Sequence, residues 1–443
     1  MKIEIPRYVR KVMERLEING YESYIVGGCV RDTLLGKMPF DYDVTTNCPP
    51  DEMMRIFSDM NYADTGLKHG TITIISEGKP VETTTYRSEG KYSDHRRPEK
   101  VVFETDISQD LKRRDFTVNA LCYNDKNGLM DMFGGVSDLE NGLIRCVGNP
   151  SERFDEDALR IMRGLRFASV LGFEIEEKTS LAINNQKLLL REISSERIFS
   201  ELKKLLTGKN AGQILLQYRE VFGVIIPELI PTFDFPQKCP HHCYDVYEHI
   251  CHGVENIPPD DILRLTMLLH DIGKPEMAKT DDKGVMHFKK HQFVSAEKTY
   301  TILKRLKCDR KTLVRVTDLV REHDNRIPPL KKSVKKMIAK YGDEFFFQYI
   351  AVRKADTMAQ SDYMREEKLT IINTLEKLGQ EVLKENCCLK IKDLDIDGND
   401  LKTLGLYGKE IGKALDFLLE NVIEENTVNK KDILIKYLKE NYK

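Results

Sequence analysis

No apolar stretch in this chain approaches membrane-spanning length, and the opening residues MKIEIPRYVRKV lack the apolar core of a signal peptide. Both absences argue against a membrane partner. The ten cysteines show no paired spacing, and Cys387 and Cys388 are adjacent, which suits a reducing cytoplasm better than a disulfide framework. A basic surplus is missing too: the net charge is −2. A nucleic-acid partner would therefore be held by local patches rather than by a global field. HRR at 95–97, LKRR at 111–114 and KKSVKK at 331–336 are the candidates, although a run of this kind is more often a solvated face. No fixed-period repeat is present, and 443 residues exceed one core, so two to four domains are expected.

Four regions are expected. Residues 1–145 mix β-rich, turn-bounded segments (TITIISEG, PVETTTYR, KVVFET) with helical ones, including LKRRDFTVNALCYN, read as a polar entry to an amphipathic helix. Residues 146–226 turn helical. The proline- and aromatic-rich stretch PELIPTFDFPQKCP reads as a linker opening a helical body, 227–365, and a helical tail, 366–443, interrupted at DIDGND.

The densest chemistry lies in YIVGGCVRDTLLGKMPFDYD at 24–43. A short buried strand precedes Gly27 and Gly28, whose turn lets backbone N–H groups approach phosphate oxygens at a helix start. Arg31 adds a charged fork for the same anion. Asp41 and Asp43, two residues apart on an expected strand, present both carboxylates on one face, a geometry for Mg²⁺. Glu82, ending an apolar approach in KPVETTTYR, is a candidate third carboxylate, and an ordinary surface glutamate is the alternative.

In RFDEDALRIMRGLRF, Asp157, Arg160, Arg163 and Arg166 recur every three residues along one helical flank. An exposed salt-bridged helix explains that spacing. So does base reading, since a carboxylate accepts from an exocyclic amine while a guanidinium donates to ring or carbonyl acceptors.

Gly-Gly before Asp-x-Asp resembles the head of the DNA polymerase β-like nucleotidyltransferases. LKRRDFTVNA, the EDxxR helix and SSERIFSEL at 194–202 resemble, in order, the signatures of the class II tRNA nucleotidyltransferases (CCA-adding enzymes) and bacterial poly(A) polymerases. The resemblance implies a mixed α/β head followed by an all-α neck, an HD-type body and a tail. It also implies two-metal nucleotidyl transfer that adds C, C and A to tRNA from CTP and ATP. Arg114 would contact the triphosphate and Asp115 would act near the sugar. Asp157 and Arg160 would read the base, supported by Arg163 and Arg166. The stretch 87–101 would be a flexible loop that helps the switch from C to A, and its charge independently suggests an exposed loop. Body and tail would hold the acceptor and TΨC arms of tRNA. An A-adding enzyme or a poly(A) polymerase is the alternative within this class.

A second constellation lies in the middle. His249 in YDVYEHICHGVEN, His270 and Asp271 after an apolar helix, and Asp356 in VRKADTMAQ follow the order of an HD-domain phosphohydrolase, with His291 and His323 between. Imidazoles plus carboxylates suit a divalent transition metal better than Mg²⁺. Hydrolysis of phosphoesters there is the expectation from a different functional class, alone or as a second activity. Cys239, His241, His242 and Cys243 crowd too closely for a tetrahedral zinc site, and no second pair sits at finger spacing.

Overall fold

The computed structural model describes residues 2–89, 101–385 and 387–442. The chain divides into two compact units, 1–227 and 228–443. The first is built on a seven-stranded mixed sheet. Its strands run in the order Tyr62–Ala63, Thr71–Ser76, Lys79–Thr85, Asp43–Thr46, Ser23–Val26, Leu121–Asn124 and Gly128–Asp131. The pair Asp43–Thr46 and Lys79–Thr85 is parallel, and the other neighbours are antiparallel. Ser23–Val26 lies inside the sheet and is buried throughout, which suits the apolar run Tyr24–Val26. Thr71–Ser76 alternates instead, with Ile72, Ile74 and Ser76 inward.

Seven α-helices follow among the described residues of the same unit. Among them, Leu159–Leu171 carries Gly164 against Phe116, whose Cζ would stand 3.0 Å from an added Cβ. That close approach seats the arginine-bearing helix beside the sheet. The second unit is helical apart from a small hairpin, Lys279–Thr280 with Met286–His287. Two apolar clusters sit within it. One is centred on Phe345, Phe346 and Tyr349, and the other on Leu401, Leu418 and Leu434.

Three expectations need correction. Residues Leu121–Asn124 form a strand, not a continuing helix. The helix Ile107–Lys112 ends before Asp115, whose Oδ1 accepts the Phe116 N–H at 2.8 Å, and Thr117 then bonds to Arg145 across the chain. The expected helix through Asp157 and Arg160 is two helices, Pro150–Glu156 and Leu159–Leu171. Asp157 sits extended between them and accepts the Leu159 N–H at 3.0 Å, the local bond that lets aspartate interrupt a helix. The run KKSVKK is not a free basic patch: Lys331 pairs with Glu385, Lys335 with Glu425 and Lys336 with Glu424. Of the stretch 87–101, residues 87–89 pair antiparallel with 101–103, while 90–100, including HRR, lies outside the described residues.

The seat of the Leu159–Leu171 helix gives a test. Gly164→Val forces its branched side chain onto the fully buried Phe116. Overpacking should cost about 1–3 kcal/mol. Urea unfolding followed by circular dichroism should show the loss, and unchanged stability would contradict this packing.

Candidate active site and metal centre

A polar cavity of about 830 Å³ lies within the first unit. Its walls include Gly28, Arg31, Asp41, Asp43, Arg114 and Asp115, together with Asp157, Arg160, Arg163 and Arg166. Gly27 precedes the helix Gly28–Leu34 at φ 79°, a conformation that favours glycine. A Cβ there would also stand 3.0 Å from Arg114 Nη1, so the glycine admits the guanidinium as well as the turn.

The strand begins at Asp43, so Asp41 stands just before it rather than on it, two residues away in the extended lead-in. Both still line the cavity. Glu82 is the register partner of Asp43 on the neighbouring parallel strand. Desolvation first, then the Asp41 charge, push the Asp43 carboxyl up to about 6; Glu82 adds to this and Arg114 opposes it. Asp41 and Asp43 line the cavity with carboxylate oxygens, the donor type that suits a hard divalent cation, whereas Glu82 is their neighbour by strand register and is not among the cavity's lining residues.

The arginines opposite are held, not loose. Asp110 is fully buried and takes Arg113 at 2.6 Å and Arg114 at 3.3 Å. Arg31 bonds to Asp32 at 2.8 Å and to Asn119 at 2.7 Å. Arg163 donates to Asp115 at 2.7 Å, and Arg166 stands 3.1 Å from Glu201. Arg160 donates to the Arg113 carbonyl at 3.0 Å and pairs with Glu156. Asp157 receives Arg197, from the SSERIF helix, at 3.1 Å. Phe167 sits among the guanidinium groups of Arg31, Arg163 and Arg166, with centroid distances of 5.2, 5.5 and 4.2 Å.

Phe167, Asn119, Arg113 and Arg197 line this cavity without having been singled out as site residues from the sequence. Arg113 and Asn119 carried a local signal in LKRRDFTVNA, and Arg197 in SSERIFSEL. Phe167 reads from sequence as a core residue because its ring is mostly buried.

In the second unit, six side chains from five elements converge. His249 comes from helix Val246–Asn256, while His270 and Asp271 follow Asp261–Leu269. His291 opens His291–Arg305, His323 ends Arg310–Glu322, and Asp356 lies in Asp343–Met358. Asp271 divides the set. Its Oδ2 lies 3.1 Å from Nε2 of both His249 and His270, and Asp356 Oδ1 is 3.1 Å from His249. Its Oδ1 lies 3.0 Å from His291 Nε2 and 3.5 Å from His323 Nε2.

Every one of these imidazoles turns Nδ1 to a backbone carbonyl, of Ala359, Met267, Phe288 and Val320 respectively, and Nε2 inward. That is the outer arrangement that orients histidine ligands. The two groups, His249–His270–Asp271–Asp356 and Asp271–His291–His323, could each hold a metal ion. Asp271 Oδ2 is buried without an aligned hydrogen-bond donor although three nitrogens stand within 3.1 Å, so the donor set fits a cation. Burial lowers the His249 pKa, yet Asp271 and Asp356 outweigh it and hold it at about 9. Cys239 and Cys243 are absent from the metal-capable groups among the described residues.

Asp115 offers a measurable consequence. Burial raises its pKa, but the Arg163 charge and hydrogen bond, then Arg160, overcome that and hold it at about 2. A depressed folded pKa stabilises above the unfolded value and is lost as pH falls towards the folded one. Asp115→Asn should cost at least about 2 kcal/mol at pH 7. The gap to the parent chain should narrow between about pH 4 and pH 2. A gap independent of pH in denaturant titrations would contradict the ion pair.

Three family models match the chain in sequence: the poly(A) polymerase head domain over 23–145, the RNA and SrmB-binding site of polymerase A over 172–232, and tRNA nucleotidyltransferase domain 2 over 288–438. A CCA-adding enzyme of Ligilactobacillus salivarius is 48% identical over 207 residues, 47% of this chain and 51% of the relative. One from Levilactobacillus brevis is 50% identical over 204 residues, 46% of this chain and 51% of the relative. These alignments thus span about half the length of the curated relatives. The solved CCA-adding enzyme of Bacillus stearothermophilus, in complex with CTP, matches with TM-score 0.73 and 25% identity over 98% of this chain and 96% of that one. Head, binding-site and second-domain models in this order, over this fold, make the chain similar to the tRNA nucleotidyltransferases and poly(A) polymerases along most of its length.

Proposed function

We propose that this protein completes the 3′ end of tRNA with C, C and A, taking CTP and ATP and releasing pyrophosphate without a nucleic-acid template. The observation that carries the reading is the single cavity in which Asp41 and Asp43 face an array of arginines. The relatives named as CCA-adding enzymes, and the related structure solved with CTP, support it. Residues 1–145 act as the catalytic head and 146–226 as the base-reading neck. The body 227–365 and tail 366–443 hold the acceptor and TΨC arms. No helix among the described residues is long and apolar enough to cross a membrane, in keeping with work on tRNA in the cytoplasm.

Asp41 and Asp43, with Glu82 beside Asp43, would hold Mg²⁺, which supplies activation of the 3′-hydroxyl and neutralises charge on the transferring phosphate. Gly28, Arg31 and Arg114 hold the triphosphate in line. The 3′-oxygen forms the new bond to the α-phosphorus as the bond to pyrophosphate breaks. Asp115 fixes Arg163 beside the nucleotide. Asp157 accepts from the exocyclic amine that cytosine and adenine share and that uracil lacks, and Arg160 and Arg166 support that edge and the phosphates.

The inward-facing imidazoles favour a second reading for the helical unit, a phosphohydrolase dependent on a divalent transition metal held by His249, His270, Asp271 and Asp356, with His291 and His323 on the other side of Asp271.

Addition is tested with a tRNA transcript ending at the discriminator base, and hydrolysis with bis-p-nitrophenyl phosphate and Mn²⁺. Two additions with CTP alone and three with CTP and ATP are expected on a sequencing gel. Addition of A only to tRNA already ending in CC, or long A tails on unrelated RNA, would overturn full CCA addition. Asp41→Ala and Asp43→Ala should each lower addition more than about a hundredfold. They should leave Mn²⁺-dependent hydrolysis of bis-p-nitrophenyl phosphate intact, and His270→Ala should do the reverse. Loss of both activities in either variant would contradict two independent sites.

A further inference from the structure

The metal-ligand cluster of the helical unit opens on a cavity of about 360 Å³ walled by Asp271, His291, His323 and Asp356. A second cavity, of about 430 Å³, adjoins it. His241, Asp324, Arg326, Asp356 and Gln360 line both, so the two are compartments of one recess.

Their chemistries differ. The first is dominated by imidazoles, carboxylates and Lys274. The second has an apolar floor of Ile327, Pro328, Met364, Ile371 and Leu375. Ile371 and Leu375 are four residues apart on helix Arg365–Lys384 and so share a face. Leu375 belongs to the core, whereas Ile371 and Met364 remain 47% and 46% exposed. The wall between the compartments carries Arg326, whose guanidinium is largely exposed 3.6 Å from Asp324. Lys368 stands at the rim, bonded to Gln360 at 2.7 Å. A cation at the wall and an apolar floor beyond it describe a site for a molecule with an anionic head and a ring-bearing body. The volume lies within the range of small-molecule sites.

We propose that the apolar compartment is the leaving-group subsite for a phosphoester of a ring-bearing alcohol, whose phosphate lies at the metal-ligand cluster. This rests on the phosphohydrolase reading of that cluster. Hydrolysis adds water across the ester: the water oxygen bonds to phosphorus, the P–O bond to the alcohol breaks, and a water proton ends on the departing oxygen. Arg326 faces the phosphate. Ile327, Pro328 and Ile371 cover the ring and exclude water from its face, so the compartment discriminates by the body of the ester, not by its charge.

The test uses the full-length protein with Mn²⁺ and two monoesters of equal charge, phenyl phosphate and methyl phosphate. Isothermal titration should show phenyl phosphate bound about tenfold more tightly, from apolar area buried by the ring. Ile371→Trp should fill the compartment, bring the two affinities together and leave that of methyl phosphate unchanged. Ile371→Val should keep the preference. The chain contains no tryptophan, so the new indole is a unique fluorophore, and its emission shows whether it is enclosed in the compartment. Nucleotide addition by the head serves as the folding control. Equal affinities in the parent protein, or a preference that survives Ile371→Trp with the indole enclosed, would overturn the subsite while leaving the metal site standing. Failure of the parent to bind either ester would overturn the phosphohydrolase reading and the subsite with it.

Discussion

The ion pair between Asp115 and Arg163 ties the helical region of the first unit to its sheet. Asp115 is almost fully buried, and its two oxygens are divided between tasks. One accepts from the Phe116 N–H and faces Asn119, while the other takes Arg163. Asn119 in turn bonds Arg31. Arg31, Arg163 and Arg166 gather around Phe167, which meets Phe116 edge-on at 5.8 Å. One carboxylate thus sets the positions of guanidiniums from two distant stretches of chain. A buried pair of this kind adds little net stability over an apolar alternative, but breaking it leaves an uncompensated charge. Its use here is geometric.

The two candidate centres shift their carboxylates in opposite directions. At the sheet, desolvation raises the Asp43 pKa, and the charges of Asp41 and Glu82 raise it further. In the helical unit, Asp271 and Asp356 are held well below the usual carboxylate range: burial opposes ionisation, but His249, His270 and, for Asp271, Lys274 overcome it. The donor sets differ in a way that separates their chemistry. Oxygen alone suits Mg²⁺, whereas mixed nitrogen and oxygen suits a transition metal. Backbone carbonyls on all four Nδ1 atoms fix which ring nitrogen faces inward.

Local order in the chain carried much of the site. Gly27, Gly28 and Arg31 fall within one turn and one short helix, and antiparallel pairing of Val26 with Asp43 brings the nearby Asp41 and Asp43 to them. His270 and Asp271 are neighbours by covalent spacing. What spacing could not give was partnership across the fold. The run KKSVKK was a candidate basic patch, but Glu385, Glu424 and Glu425 pair with three of its four lysines from 54 to 90 positions away. Periodicity likewise suggested one helix through Asp157, because a three-residue repeat does not show that a carboxylate caps the next N–H.

By itself the sequence determined the chemical inventory: a glycine turn before an arginine, paired aspartates, a carboxylate and three arginines in step, and an ordered set of imidazoles and carboxylates. Tertiary structure decided the rest. It set Glu82 beside Asp43 by parallel register, buried Asp110 beneath two arginines, placed Phe167 among three guanidiniums, and joined an apolar compartment to the metal-ligand cluster. Glu82 with Asp43 and Arg31 with Phe167 join residues far apart in the chain, and even the near pairs of Asp110 depend on a burial that a one-dimensional pattern does not record.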